Sequence, residues 1–200
     1  MKEYKLKVWE TAALCALCLT LCLGAWAQGR QQELSSSLVR LHVIAASDEP
    51  EEQELKLRVR DSVLEYLTPL LDESESPEDA QSVISKNLGS IQQAASRCAE
   101  GRRVRVTLGS EYYPTREYEG FTLPAGQYRS LRVTLGEGNG HNWWCVVFPP
   151  LCVSAAGQDA ALDAMSEPDR GLITEADGYE LRFRIVELWG ELLGFLEAHF

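Results

Sequence analysis

The residues of this chain best suited to do chemistry are one cysteine and the histidines near it. Cys145 is a candidate nucleophile, with His42 or His141 as the base that would take its proton. Within one strand, His141 and Cys145 would lie about 13 Å apart, too far for proton transfer. His42 lies in an apolar segment, where a histidine usually belongs to the core. An envelope enzyme that uses Cys145 is therefore the alternative hypothesis, and we predict no catalytic residue.

Cys145 also has a suitable disulfide partner in Cys152. The diproline Pro149-Pro150 lies between them and can reverse the chain, and an exported protein is expected to form disulfides. A disulfide would consume the thiolate that catalysis needs. Because His141, Cys145 and Cys152 lack a fourth zinc ligand, we predict no metal and no cofactor.

The spacing Gly136-x-Gly138-x-Gly140 resembles a phosphate-binding loop, but its context does not fit one. Such a loop needs Lys and Ser/Thr residues that enter a helix, whereas these glycines lead through Asn142 into a strand. We predict that they form a structural turn joining two strands as a hairpin. The acids around Asp48 precede a helix, and Asp48 is expected to cap it. No carboxylate has the apolar setting that acid–base catalysis would require.

The segment 142–152 is rich in the residue types that anchor protein interfaces. Alternation along a strand would place its adjacent tryptophans on opposite faces, so at least one should lie in the core. A disulfide between Cys145 and Cys152 would hold the turn rigid. We predict that a protein partner is bound by Trp143, Trp144, Phe148, Pro149 and Pro150.

The order of hydrophobic patterns predicts an α+β fold, with a mainly antiparallel sheet and helices packed on one face. In chain order, the predicted elements are a strand over 38–45, helices over 51–71 and 77–98, strands over 103–108, 112–120, 128–135 and 142–148, a strand over 179–185 and a helix over 187–199.

The N-terminus has the pattern of a targeting segment. An apolar run ends in Ala25-Trp26-Ala27, a small-x-small cleavage pattern, so residues 1–27 are predicted to be a signal peptide or an anchor. If the segment is kept, residues 8–27 would hold the chain in the membrane. A polar tether over 28–37 then precedes a single domain over 38–200. The net charge of −11 gives no electrostatic reason to bind nucleic acid, and membrane contact is expected only through the N-terminal segment.

Several motifs resemble those of the stage II sporulation protein R family of endospore-forming bacteria. The resemblance covers most of the chain after the targeting segment, and Ala46 departs from the asparagine that the family favours. The motifs are Arg40-Leu41-His42-Val43-Ile44-Ala45-Ala46-Ser47-Asp48, Leu55-Lys56-Leu57-Arg58-Val59-Arg60-Asp61, Leu123-Pro124-Ala125-Gly126-x-Tyr128 and Asn142-Trp143-Trp144-Cys145-Val146-Val147-Phe148-Pro149-Pro150-Leu151-Cys152.

This resemblance implies a signalling protein and not an enzyme. Such a protein is made in the forespore and exported into the space between forespore and mother cell. There it would activate a membrane-embedded aspartic protease of the mother cell, which processes the precursor of an early mother-cell sigma factor. The resemblance implies no catalytic residues.

Overall fold

The computed structural model of the chain describes residues 7–118, 121–151, 165, 169 and 170. The predicted strand over 179–185 and helix over 187–199 lie outside these residues. The helices and strands are α1 Val8–Ser36, β1 Val39–Ile44, α2 Pro50–Leu71, α3 Pro77–Cys98, β2 Val104–Tyr113, β3 Arg116–Tyr118, β4 Phe121–Leu123, β5 Gly126–Leu135 and β6 Asn142–Phe148.

Four strands form one sheet in the order β2-β5-β1-β6. β1 is parallel to β5 and antiparallel to β6, while β2 is antiparallel to β5. β3 and β4 pair with each other in the connection between β2 and β5. The predicted α+β class is confirmed, because the sheet is mostly antiparallel and α2 and α3 pack on one of its faces.

The helical face of the sheet carries an aliphatic core. Along β1, Leu41 and Val43 point toward the helices, and they meet Val59 and Val63 of α2 and Ile84 of α3, all of them buried. These helix residues recur every three or four positions, which gives each helix one apolar side. α3 begins at Ser76, whose hydroxyl accepts a hydrogen bond from the Asp79 backbone N–H. This cap satisfies one of the otherwise unpaired N–H groups of the first turn.

The opposite face of the sheet carries a second core that is richer in aromatic residues. Tyr113 and Tyr128 project from β2 and β5, and Phe121 and Leu123 of β4 pack against them. The end of α1 joins this core, since Leu34 is fully buried. The segment predicted as a polar tether, 28–37, is therefore helical as far as Ser36, and its end is packed on the domain.

The predicted hairpin between β5 and β6 is wrong, because β1 lies between these strands. Every residue of β1 is buried, with aliphatic side chains toward the helices and Arg40 and His42 on the opposite face, and a strand covered on both faces belongs in the interior of a sheet. The short glycine-rich spacing indicated a tight turn but carried no information about which strand would occupy the gap.

The glycines instead form a loop that crosses the end of β1. The N–H of Gly140 donates to the Ala45 carbonyl at 3.0 Å, and that of Asn139 donates to Ala46 at 3.3 Å. Gly136 and Gly138 have φ values of 57° and 71°, a region that glycine reaches without a steric cost. The backbone of the loop therefore hydrogen-bonds to the residues that follow β1, where no strand pairs with them.

Two strands differ in extent from their predictions. β2 continues to Tyr113, well beyond the predicted end at 108, because it pairs with β5 along its whole length. The segment predicted as one interrupted strand over 112–120 is divided at Pro114, with the end of β2 before it and β3 after it. Proline has no N–H to donate, and here it lies where the chain leaves the main sheet.

α1 is, within the described residues, the helix that is long and apolar enough to cross a membrane. None of its apolar window is buried against the domain, and Trp9 and Trp26 are exposed. This matches the predicted signal or anchor segment, since both would leave the apolar side chains free for lipid.

The crossing loop predicts a destabilised Gly140→Ala variant. A Cβ at Gly140 would overlap the Ser47 carbonyl group, with its carbon 2.5 Å away, and neither backbone can move without breaking the loop hydrogen bonds. We expect a loss of about 1–3 kcal/mol in the free energy of unfolding, measured by urea denaturation of the full chain in detergent.

The matched control is Gly89→Ala, in the interior of α3, where an added Cβ meets nothing within 4 Å. That change should stabilise the chain by about 0.5–1 kcal/mol, because alanine favours the helix. Equal stabilities for Gly140→Ala and the unaltered chain would contradict the close crossing.

Candidate interaction surface

β6 is an edge strand of the four-stranded sheet within the described residues. Its tryptophans lie on opposite faces of the sheet, as alternation requires. Trp143 pairs with Val43, which faces the helices, whereas Trp144 pairs with His42, which faces the other side. Both tryptophans are half-buried. Neither is a fully buried residue, although Nε1 of Trp143 is buried and has no hydrogen-bond partner among the described residues.

On the helical side, Trp143 packs against the aliphatic core and against an arginine of α2. The guanidinium carbon of Arg60 lies 4.5 Å from the centroid of the Trp143 ring, within the range of a cation–π contact. Asp61 holds Arg60 in place through an ion pair of 2.6 Å. The Trp143 ring is thus fixed between the core beneath it and a charged side chain beside it.

On the other side, Trp144 has the same kind of partner. The guanidinium carbon of Arg116, from β3, lies 4.1 Å from its ring centroid. His42 and Tyr113 approach the same indole, with ring centroids 5.6 and 6.2 Å away. The short β3–β4 pair therefore places an arginine against Trp144. The sequence of 112–120 did not predict this contact.

The remaining predicted contact residues continue from β6. Phe148, Pro149 and Pro150 are half-buried, and the peptide bond between Phe148 and Pro149 is cis. Pairing with β1 shifts between Val39 and Arg40, so Phe148 packs with the helical core and not with Trp144. This irregularity gathers Trp143 and Phe148 on one side of the strand.

A hydrogen-bonded network lies beside Trp144 and joins the strands beneath it. Nδ1 of His42 donates to the carboxylate of Glu111 at 3.2 Å, and its Nε2 is 2.9 Å from the side-chain oxygen of Asn142. Arg132 forms an ion pair with the other carboxylate oxygen of Glu111 at 3.0 Å. His42 therefore ties β1 to β2 and to β6, a role that the sequence did not disclose.

Glu111 is the centre of this network. Ser130 donates its hydroxyl proton to Glu111 at 2.5 Å, so the Tyr113 hydroxyl must be the donor in its own bond to Ser130, at 2.6 Å. Burial alone would raise the pKa of the Glu111 carboxyl. The hydrogen bonds from Ser130 and His42 and the charge of Arg132 outweigh burial and hold this pKa below its usual range.

Arg40 is fully buried in the second core, next to the network. Its guanidinium carbon lies 3.9 Å from the ring centroid of Tyr113 and 4.9 Å from that of Tyr128, and it donates to the Tyr118 hydroxyl at 2.5 Å. Its Nε and Nη1 have no hydrogen-bond acceptor in the described part of the chain. Aromatic faces thus replace much of the hydration that the cation loses on burial.

The helix cap predicted at Asp48 is not formed. The N-cap position of α2 is Glu49, which makes no capping hydrogen bond with its side chain. Asp48 instead accepts a hydrogen bond from the His141 backbone N–H at 2.6 Å, and Lys56 donates to the His141 carbonyl at 3.0 Å. Burial lowers the pKa of Lys56, although Asp48 opposes this effect. Asp48, just before α2, and Lys56, within α2, therefore both hydrogen-bond the backbone of His141 at the end of the glycine loop.

Within the described residues, neither candidate histidine faces Cys145. Cys145 pairs with Leu41 on the helical side of the sheet, whereas His42 points to the opposite side. The His141 imidazole is exposed and bound to Asp48. Cys152 lies outside the described residues, so the disulfide stays a prediction. No group of metal-ligating side chains occurs among the described residues.

Comparisons with known proteins agree on one family. A family model described as stage II sporulation protein R matches residues 35–158. Stage II sporulation protein R of Bacillus subtilis strain 168 is 36% identical over 118 residues, which is 57% of this chain and 53% of that protein. The chain thus spans about half the length of this relative. No solved structure matches the chain.

The Glu111 network predicts that stability depends on pH in a defined direction. A carboxyl whose pKa is lowered by folding stabilises the fold above its unfolded pKa of about 4.3, and this contribution disappears as the pH falls through the folded pKa. We expect Glu111→Gln to reduce the free energy of unfolding by about 1–3 kcal/mol at pH 7. The difference from the unaltered chain should shrink below about pH 4, measured by urea denaturation across a pH series.

The control for this series is Glu117→Gln, which removes an exposed carboxylate of β3 without touching the network. Its effect at pH 7 should stay within about 0.5 kcal/mol. If Glu111→Gln loses the same free energy of unfolding at pH 7 and at low pH, the charge of the Glu111 carboxylate is not the source of the stabilisation.

Proposed function

The chain belongs to the stage II sporulation protein R family, and we propose that it is an exported signal that activates a membrane-embedded aspartic protease of the mother cell by direct contact. The protease then processes the precursor of an early mother-cell sigma factor. The chain transforms no substrate in this proposal. Its contribution is the free energy of binding to one arrangement of the protease.

The observation that carries the proposal is the pair of accessible tryptophans at the end of the sheet. Large aromatic side chains with part of their surface exposed supply most of the binding free energy in many interfaces. Trp143 and Trp144 are both half-buried, and each has an arginine against its ring. Tryptophan and arginine are the residue types most enriched at such contacts.

The surroundings of these residues favour binding without a large ordering cost. Both rings project from a strand that pairs with β1, and each packs on a core on its own face. A side chain that is held in place before binding loses less conformational entropy on contact. Phe148 and the adjoining Pro149-Pro150 extend this rigid surface in our proposal.

The N-terminal helix supports action outside the cytosol. α1 runs without a break from an apolar segment to the domain, and Leu34 near its end is fully buried in the second core. If the signal is cleaved after Ala27, the remaining turns still place Leu34 in the second core. If it is kept, the helix sets the domain directly beside the membrane in which the protease is embedded.

A ligand of this kind activates its receptor only if it distinguishes between two receptor states. The protease has an active and an inactive arrangement, and the ligand binds each with its own free energy. The equilibrium between the two arrangements can shift by no more than the difference between these two binding free energies. A tenfold shift needs about 1.4 kcal/mol, which is less than the loss of one well-placed tryptophan contact. A few residues of β6 therefore suffice for the signal.

Co-expression in a non-sporulating host tests this contact. The full chain is produced with the candidate protease and the sigma precursor, and conversion of the precursor is measured by immunoblot. We expect Trp144→Ala or Trp143→Ala to lower conversion by about tenfold or more, since such contacts contribute about 2 kcal/mol. Trp144→Phe keeps an aromatic ring in the core and should give an intermediate rate.

Tyr112→Ala is the matched control, because Tyr112 is an aromatic residue that is 65% exposed on β2, at the other end of the sheet. Conversion should be unchanged in that variant. Thermal unfolding of each variant shows whether it is folded. Folded tryptophan variants that convert the precursor at the full rate would overturn the role of β6.

Export is tested separately with a chain that lacks residues 1–27. Since the proposal places the contact outside the cytosol, this chain should accumulate but fail to trigger conversion in the same host. A foreign signal peptide fused at Gln28 should restore conversion. Full activity of the truncated chain in the producing cell would contradict action from outside.

A further inference from the structure

Part of the sheet face opposite α2 and α3 carries exposed side chains in the described part of the chain. The second core covers the half that contains Tyr113, Tyr128 and Arg40. Beyond the Glu111 network, the same face continues with exposed side chains, among them Arg105 and Thr107 of β2. We call the exposed residues Arg105, Thr107, Arg132 and Asn142, together with Trp144, the open face.

The strand register arranges the open face in two rows. The first row runs across the four strands in the order Thr107, Arg132, His42 and Trp144, each residue paired with the next. In the next row, Arg105 pairs with Thr134, and the buried Ile44 lies between Thr134 and Asn142. Arg105 and Arg132 are therefore diagonal neighbours on adjacent strands, and such neighbours have their side chains about 7–8 Å apart.

The charge of the open face is opposite to that of the chain. The chain has a net charge of −11, yet Arg105, Arg132 and Arg116 all project at this face. The carboxylate of Glu111 lies next to this face, where it is largely buried and forms an ion pair with Arg132. Arg105 makes no ion pair within the described residues, so its guanidinium is available to an incoming group.

We propose that the open face docks an extended acidic segment of the protein partner. This deepens the proposed function, on which it rests, by naming the chemistry of the segment bound beside Trp144. An extended chain places alternate side chains about 6.6–7 Å apart on one side, close to the separation of Arg105 and Arg132. Carboxylates at that spacing can bind both guanidinium groups with charge-assisted hydrogen bonds.

The remaining residues of the open face suit such a segment. Thr107 is an exposed polar group that can hydrogen-bond an extended backbone, and Asn142 is exposed although its side-chain oxygen is engaged by His42. Trp144, with Arg116 against its ring, provides an apolar contact at one end of the row. The residues are carried by paired strands, so their spacing is fixed before the segment arrives.

A binding assay on the full chain in phosphatidylcholine nanodiscs tests the proposal. The probe is a fluorescein-labelled peptide of alternating Thr and Glu, and its anisotropy is compared with that of the Thr-Gln and Thr-Lys peptides. The Thr-Glu peptide should bind at least tenfold more tightly than either. Its affinity should fall as salt is raised, because the contact is between exposed charges.

The diagnostic variant is Arg105→Glu with Thr107→Glu, which reverses the charge of the open face without touching Glu111 or Trp144. It should bind the Thr-Glu peptide at least tenfold more weakly. The matched control is Arg97→Glu with Gln93→Glu, at exposed positions of α3 on the other side of the molecule, with the same change in net charge. The control should bind as the unaltered chain does.

Three results would overturn the inference. The first is equal binding of the Thr-Glu and Thr-Gln peptides, and the second is equal loss in the control. The third is protection of 105–107 from hydrogen exchange in phosphatidylglycerol nanodiscs without peptide, which would assign the face to lipid. The peptide assay contains no protease, so its failure leaves the tryptophan and export tests of the proposed function intact.

Discussion

The burial of β1 on both faces is the constraint on which the rest of the structure depends. A strand whose side chains are buried in both directions, Arg40 and His42 among them, is stable only between two other strands and between two cores. β5 and β6 supply the neighbours, α2 and α3 supply one core, and the tyrosines and the end of α1 supply the other. The glycine loop follows, because the chain must pass from β5 to β6 across the end of β1.

The two cores differ in a way that bears on function. The helical side is aliphatic and closes around Leu41 and Val43, so it provides hydrophobic stabilisation and little else. The other side contains Arg40 among tyrosine rings and, beside it, the His42–Glu111 network. Buried polar groups of this kind require defined geometry, since an unpaired donor or acceptor is costly. They fix where Trp144 lies relative to β2 and β5.

The elements that depend on local pattern were predictable from the sequence, whereas the order of the strands was not. Helical spacing of apolar residues located α2 and α3 closely, and alternation placed Trp143 and Trp144 on opposite faces. The pairing of β5 with β1 joins residues far apart in the chain, and no local signal contains it. The hairpin prediction failed for that reason, and with it the expectation that Gly136–Gly140 form a two-strand turn.

The same limit explains which parts of the site were missed. The aromatic segment of β6 stood out by composition, but the arginines that contact its rings come from α2 and β3. Asp48 looked like a helix cap because that is the common role of an aspartate before a helix. Its contact with His141 arises only because the chain returns to α2 after crossing β1.

The position of β6 follows from the same crossing. Once β1 takes the interior place in the sheet, the last strand described must lie outside it, with β1 on one side. Its tryptophans are then anchored on the two cores, one on each face, and both are only half-buried. The stability of the fold and the position of the contact residues therefore have one origin, the buried strand β1.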